Sequence, residues 1–369
     1  MDYTAIKADL LNFLSFSRAF TKLRKVGSGA DGIVTAHTHN RTGQVIAVKV
    51  PHPDRHGSSG AITAEAKVLS KLGRHENIMD MITYTCAVTS GPAIFSEFAP
   101  LGNLWEYREK WIARQKLLER PYGIQEITVW KLFRDMALAL EYLHEKCGYI
   151  HRDVKPDNII VTFSEEHNRN MIPTVPVFKL CDFSRAVVSP SPGGKFHGWA
   201  GTLEYAPPPD ERHESVAARP AGDIWSLGAT IQAFALDIFP LQSRRHLVAQ
   251  MKKRGEPHPK LHGDEGMWAS RVWRFKFSAV YRPLNVRGDA LVAWWDVPKT
   301  ASSFRPFSDE LNRWYAMLWA PKPRLRVSSA KLVRDLVPLV DGFHFSDQEL
   351  DEFRRVVTPL RKVARQPLW

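Results

Sequence analysis

The sequence predicts an α+β fold, on three observations. Strand-like runs rich in β-branched residues, Ile33-Val34-Thr35-Ala36, Gln44 to Val50 and Ala93 to Phe98, crowd into the first hundred residues. Longer segments with apolar residues at helical spacing dominate afterwards, above all Glu126 to Lys146 and Ile224 to Phe239. At 369 residues the chain is long enough for two lobes with separate cores.

Composition narrows the class. Hydrophobic residues make up 44% and charged residues 24%, ordinary globular values that argue against general disorder. Lys and Arg number 51 against 39 Asp and Glu, a formal net charge of +12, which fits nucleic-acid binding, acidic partners or simply a basic surface. Three Cys in a chain of this size do not make a disulfide framework and point to a reducing compartment. Met1-Asp2-Tyr3-Thr4 is not a basic region leading into an apolar run, and no segment reaches about 18 uninterrupted apolar residues. A soluble intracellular protein, cytoplasmic or nuclear, with no membrane association is expected; oligomeric state cannot be read.

Along the chain, Tyr3, Ile6, Leu10, Phe13 and Leu14 follow helical spacing, so residues 1–19 read as a helical extension that packs on the first lobe or docks a partner. Gly27, Gly29 and Gly32 permit a tight turn that can approach phosphates. A dinucleotide-binding turn would need a helix directly afterwards, whereas a β-branched run follows here. Lys49 sits on the next strand. His52 to Gly60 is a polar connection, and Ala61 to Leu72 has helical spacing before Gly73 ends it, with Glu65 one turn before Leu69 on the same face. The helix from Glu126 to Lys146 delivers the chain to Tyr149–Val161, where Asp153, Lys155 and Asn158 stand at fixed offsets between apolar residues, as in a loop that positions a hydroxyl and a metal. Ser164 to Pro176 reads as a surface hairpin, and Ser189 to Gly194 as a flexible stretch rich in phosphoacceptors. Ile224 to Phe239 is apolar nearly all round and should be a buried axis. Residues 241–306 interleave basic residues with Trp268, Trp273, Trp294 and Trp295, which pack a local core or contact nucleic acid; packing is the preferred reading. Ser346-Asp347-Gln348-Glu349 is a capping-box start, so 341–369 reads as a helix ending in a basic tail, Arg361 to Arg365.

The stretch His151-Arg152-Asp153-Val154-Lys155-Pro156-Asp157-Asn158 resembles the catalytic loop of eukaryotic protein kinases of the Ser/Thr type. The partner motifs occur in the family's order: Gly27-Ser28-Gly29-Ala30-Asp31-Gly32-Ile33-Val34 for the Gly-rich loop, Ala47-Val48-Lys49 for the strand lysine, Cys181-Asp182-Phe183-Ser184 for D-F-G and Gly201-Thr202-Leu203-Glu204-Tyr205 ahead of A-P-E. The resemblance covers residues 20–340 and implies a two-lobed fold, a small β-rich N-lobe over 20–98 and a larger helical C-lobe over 103–340. It implies ATP and Mg²⁺ as cofactors and a protein substrate with a Ser or Thr acceptor; nucleic acid is not expected, because the family's ATP cleft is itself basic.

By the same resemblance Asp153 is the catalytic base, Lys155 steadies the transferred phosphoryl group and Thr202 hydrogen-bonds both. Lys49 contacts the α- and β-phosphates and pairs with Glu65; Asn158 and Asp182 hold the metal. Gly27, Ser28, Gly29, Gly32, Val34 and Ala47 line the nucleotide site, with Ser96 as gatekeeper and the backbone of Glu97 to Ala99 against adenine. Phe183 should pack under Leu69 and against His151, Asp223 should bond the catalytic-loop backbone, and Arg152 could pair with a phosphate on the following segment. Two positions depart from the family. Ser184 replaces a glycine, which should penalise a flipped state with φ > 0. Pro207-Pro208-Pro209 stands at A-P-E, so either Glu211 supplies the missing carboxylate for Arg326 or the arginine finds another partner. These departures keep a second reading open, a pseudokinase or allosteric scaffold that binds nucleotide without efficient transfer.

Overall fold

The computed structural model describes residues 3–10, 13–29, 31–86, 91–117, 123–164, 172–189, 198–213, 215–295, 297 and 304–343. The expected phosphoacceptors at 190–194, most of the 164–176 hairpin, and the C-terminal helix and basic tail lie outside them. Two short helices, α1 (Thr4–Leu10) and α2 (Phe13–Ala19), occupy the N-terminal extension. Strands β1 (Phe20–Ser28), β2 (Gly32–His39) and β3 (Val45–Pro51) follow, then helix α3 (Ser58–Leu72) and strands β4 (Met81–Thr85) and β5 (Ala93–Glu97). They form one five-stranded sheet in the order β1-β2-β3-β5-β4, with antiparallel neighbours.

Strand periodicity gives this sheet two different faces. Ile46, Val48 and Phe95 point outward and are buried with Ile6 and Leu10 of α1, so the extension packs on the N-lobe. Ala47 pairs with Ser96 and Lys49 with Ile94, which puts these four side chains on the opposite face, toward the cleft. Helix α3 begins three residues earlier than its spacing predicts. Gly57 takes a left-handed turn at φ 83°, and the Ser58 hydroxyl donates to the His52 and Arg55 carbonyls, which anchors the entry. β5 ends at Glu97 rather than Phe98.

The C-lobe opens with α4 (Leu104–Leu117) and α5 (Glu126–Glu141), the latter continuing into a π-helical turn over Tyr142–Lys146. Two short antiparallel pairs, β6 (Tyr149–Ile150) with β9 (Val187–Val188) and β7 (Ile159–Thr162) with β8 (Val177–Leu180), frame the loop between β6 and β7. Helix α6 (Pro220–Leu236) is buried along almost its whole length. It starts and stops before the predicted span: Pro220 fits a first turn that needs no N–H, and Asp237 at φ 57° breaks the helix.

Beyond it lie α7 (Arg244–Arg254), α8 (Glu265–Ala269), α9 (Arg271–Arg274), α10 (Gly288–Trp294), α11 (Asp309–Ala316) and α12 (Ser329–Asp341). Trp268, Leu247, Val248, Met251 and Phe277 make a satellite core with Trp273 against it, and Trp295 packs edge-on to Tyr281, so these tryptophans are packing groups. The main core joins α3 and Ile94 of the small lobe to α5 and α6 of the large one. Among the described residues no helix is long and apolar enough to cross a membrane.

Candidate active site

The site is built where the inner sheet face meets the loop between β6 and β7. Val34 pairs with Lys49 and Ala36 with Ala47, so Val34, Ala36, Ala47, Lys49, Ile94 and Ser96 share that face. Ala36 is one lining position that sequence reasoning missed. Ser96 is buried and its hydroxyl approaches the Glu97 carbonyl at 3.4 Å. The Glu97 N–H is turned toward the Asp80 carbonyl at 3.0 Å, and its carboxylate accepts from Lys179 at 2.8 and 2.9 Å. Pairing ends there, which leaves the backbone from Phe98 to Ala99 outside the sheet, with the Ala99 carbonyl accepting from Gly102.

The Gly-rich segment is a tight β1–β2 turn closed by Gly29 N–H to the Gly32 carbonyl at 2.9 Å. Gly32 is required by the protein itself, because a Cβ there would lie 2.4 Å from the Val50 carbonyl oxygen. At Gly27 and Gly29 a Cβ would meet nothing within 4 Å. No packing demands glycine at those two positions, which fits a backbone that must admit a ligand.

Lys49 donates to Glu65 at 2.6 Å and to Asp182 at 2.9 Å, joining sheet, α3 and the Asp182 turn in one triad. Burial opposes the Lys49 charge, but the two carboxylates outweigh it and hold the ammonium well above the usual lysine range. Burial likewise lifts the Glu65 carboxyl, to about 7, against the pull of Lys49 and the Phe183 N–H. Asp182 goes the other way: despite its burial, the Lys49 ammonium beside it brings it down to about 2, so it stays an anion. Burial pushes the thiol of neighbouring Cys181 up, leaving it a neutral packing group.

The loop between β6 and β7 hangs from α6. Asp223, fully buried, accepts from the backbone N–H groups of His151 and Arg152, each at 2.8 Å, and from His144 Nε2 at 2.8 Å. Those bonds hold Arg152 in a left-handed conformation at φ 68°, a strained state for a residue with a Cβ. His151 packs edge-on to Phe183 and donates through Nε2 to the Cys181 carbonyl. Arg152 Nε and Nη1 donate to the carbonyls of Arg185 and Gly198, both at 2.7 Å.

Asp153 is tied on every side. Its Oδ1 accepts from the Thr202 N–H at 2.7 Å and hydroxyl at 2.8 Å, and its Oδ2 from Asn158 at 3.1 Å and Lys155 at 2.9 Å. Lys155 also donates to the Thr202 hydroxyl at 2.7 Å. Thr202 gets this close because Gly201 has no side chain; a Cβ there would lie 2.1 Å from the Arg152 carbonyl. Thus Asp153, Lys155, Asn158 and Thr202 form one cluster, and Lys49, Glu65 and Asp182 a second.

Of the two departures, Ser184 sits at negative φ in a short 3₁₀ turn, with Asp182 taking the left-handed position before it. The Pro209 departure has a direct answer: Arg326 donates to Glu211 in bidentate fashion at 2.7 and 3.1 Å, and also to the carbonyls of Ala221 and Ala320. Sequence reasoning missed His144, which bridges Asp223 to Ser329, and Asp31, which accepts from Ser184 and Arg185. A histidine among apolar helix positions gives no signal of its own.

A divalent cation fits here on the chemistry of its donors. Asn158 uses its amide N–H₂ on Asp153, which turns Oδ1 into a free hard acceptor, and Asp182 supplies a carboxylate. Among the described residues there is no group of three His, Cys, Asp or Glu able to hold a metal by itself. Two protein oxygens with phosphate and water completing the shell is the pattern expected of Mg²⁺.

The sequence matches the protein kinase domain over residues 20–335. It is 28% identical over 228 residues to the mitosis inhibitor protein kinase SWE1 of Saccharomyces cerevisiae, covering 59% of this chain and 25% of that protein. It is 30% identical over 233 residues to the Aurora kinase of Schizosaccharomyces pombe, covering 62% of this chain and 58% of that one. With the probable serine/threonine-protein kinase nek1 of Dictyostelium discoideum it shares 26% over 233 residues, 61% of this chain and 45% of the relative. These matches thus span a quarter to somewhat over half of the relatives' own lengths. With the domain match running through 20–335, most of its length, the chain belongs to the protein kinase family.

Proposed function

We propose that the protein phosphorylates Ser or Thr hydroxyls on protein substrates with ATP. The observation that carries this reading is the four-donor cradle around Asp153, which fixes a carboxylate where an acceptor hydroxyl can share its proton. Lys155, bonded to Thr202, presents a positive charge beside that carboxylate for the transferring phosphoryl group. Lys49, oriented by Glu65, is charged and aimed at the phosphate end of the cleft. Asn158 and Asp182 would hold Mg²⁺, which when bound neutralises phosphate charge. The inner face formed by Val34, Ala47 and Ser96, with the backbone from Glu97 to Ala99, takes the adenine, and Gly27, Ser28, Gly29 and Gly32 cover the phosphates.

Radiolabelled ATP with a peptide library tests the reading. Asp153→Asn should retain nucleotide binding and lose at least about a hundredfold in turnover, and Asp182→Asn should also weaken Mg-ATP binding. The phosphorylated residue should be Ser or Thr. Undiminished transfer by Asp153→Asn refutes the assignment, and nucleotide binding without transfer in the unsubstituted protein favours the scaffold reading.

A further inference from the structure

The Gly-rich turn carries one acid, Asp31, and its side chain reaches across the cleft. Asp31 Oδ2 accepts from the Ser184 hydroxyl at 2.9 Å, and Oδ1 from Arg185 Nη2 at 3.3 Å. The donors are the second and third residues after Asp182, 153 and 154 residues along the chain from Asp31. Among the described residues, the other polar ties between the lobes, among them Lys49 to Asp182, Glu65 to Phe183, Glu97 to Lys179, Asn77 to Phe178 and Leu72 to Tyr142, hold strands, α3 and the segment after it, not the turn. At Gly27 and Gly29 a Cβ would meet nothing within 4 Å, so the turn is held there by its own β1–β2 backbone bonds and not by side-chain packing. A carboxylate in a turn that covers phosphates would repel them; a hydroxyl and a guanidinium offset its charge. This also gives Ser184 a use: a glycine there could not donate.

We propose that Asp31, Ser184 and Arg185 form a latch that holds the Gly-rich turn down on the metal-binding segment and limits how fast nucleotide leaves the cleft. The three act as positioning residues, since none is placed to touch reacting atoms. The effect on nucleotide rests on the proposed function, whereas the latch itself does not. Two measurements on the full chain separate them. Amide hydrogen exchange in the nucleotide-free protein should quicken about tenfold in the 27–32 turn for Asp31→Ala and for Ser184→Ala, with the catalytic loop unchanged. Stopped-flow release of a fluorescent ADP in the presence of Mg²⁺ should accelerate about tenfold in each, the amount one charge-assisted hydrogen bond supplies. The double variant should release no faster than the faster single one, and Ser184→Thr, which keeps the hydroxyl, should behave as the unsubstituted protein. Unchanged exchange in both single variants, or a double variant whose effect is the product of the two, overturns the latch. Failure of the unsubstituted protein to bind ADP, with the exchange effect present, sinks the proposed function and the role in release together.

Discussion

The catalytic loop and the Gly-rich turn face the same cleft and are held by opposite means. The loop is fixed by buried bonds: Asp223 on α6 accepts from two of its backbone N–H groups and from His144, while Thr202, Lys155 and Asn158 close around Asp153. The turn is held by its own β1–β2 pairing and by the Asp31 latch, one of whose donors, Arg185, is 40% exposed. Under the proposed function, the groups that hold a reacting oxygen sit on rigid supports, and the turn that covers the phosphates keeps a low-energy way to open.

That contrast can be broken at its strong end. Asp223→Ala leaves two N–H groups and a histidine unsatisfied in the core, at a cost of roughly 4–5 kcal/mol of unfolding free energy together with phosphotransfer. A urea midpoint within error of the unsubstituted protein would show that the loop does not depend on α6. A step down in size, Glu211→Ala strips the carboxylate from Arg326, whose side chain is fully buried, and should cost about 3 kcal/mol in the same assay. Pro209→Glu, which restores the family residue without removing the existing pair, should leave the midpoint unchanged; a large gain would mean that Glu211 is a poor substitute. The smallest effect sharpens the other end. Gly32→Ala should destabilise the N-lobe by about 1–3 kcal/mol, because its Cβ collides with the Val50 carbonyl. Gly29→Ala should leave the melting temperature alone and weaken nucleotide binding; equal losses of stability in both would erase the distinction between a glycine the fold needs and one the ligand needs.

What could be read in advance divides along a physical line. Strand and helix periods placed Lys49 and Glu65 on elements that could bring them together, and the motif order placed Asp153, Asn158 and Asp182. Those patterns are local, and the sheet register realises them directly. The partner of Arg326 was one of two options because the choice depends on how three prolines turn the chain after Ala206. The answer includes Glu211 together with two carbonyls. His144 and Asp31 were invisible for a different reason: their partners lie 79 to 185 residues away, and a lone histidine or aspartate carries no periodicity. Trp268 and Trp273 resolved into packing only when helices too short for a clear period were seen to share a core.

The outer face of the N-lobe sheet has a practical consequence for anyone cutting the gene. The family match begins at Phe20, yet Ile6 and Leu10 cover Ile46, Val48, Ile82, Ala93 and Phe95. A recombinant fragment started at the match boundary would present that apolar sheet face to water and invite self-association. Expression trials that trim to the recognised domain would then return insoluble material, and its lack of activity would say nothing about the chemistry of the cleft.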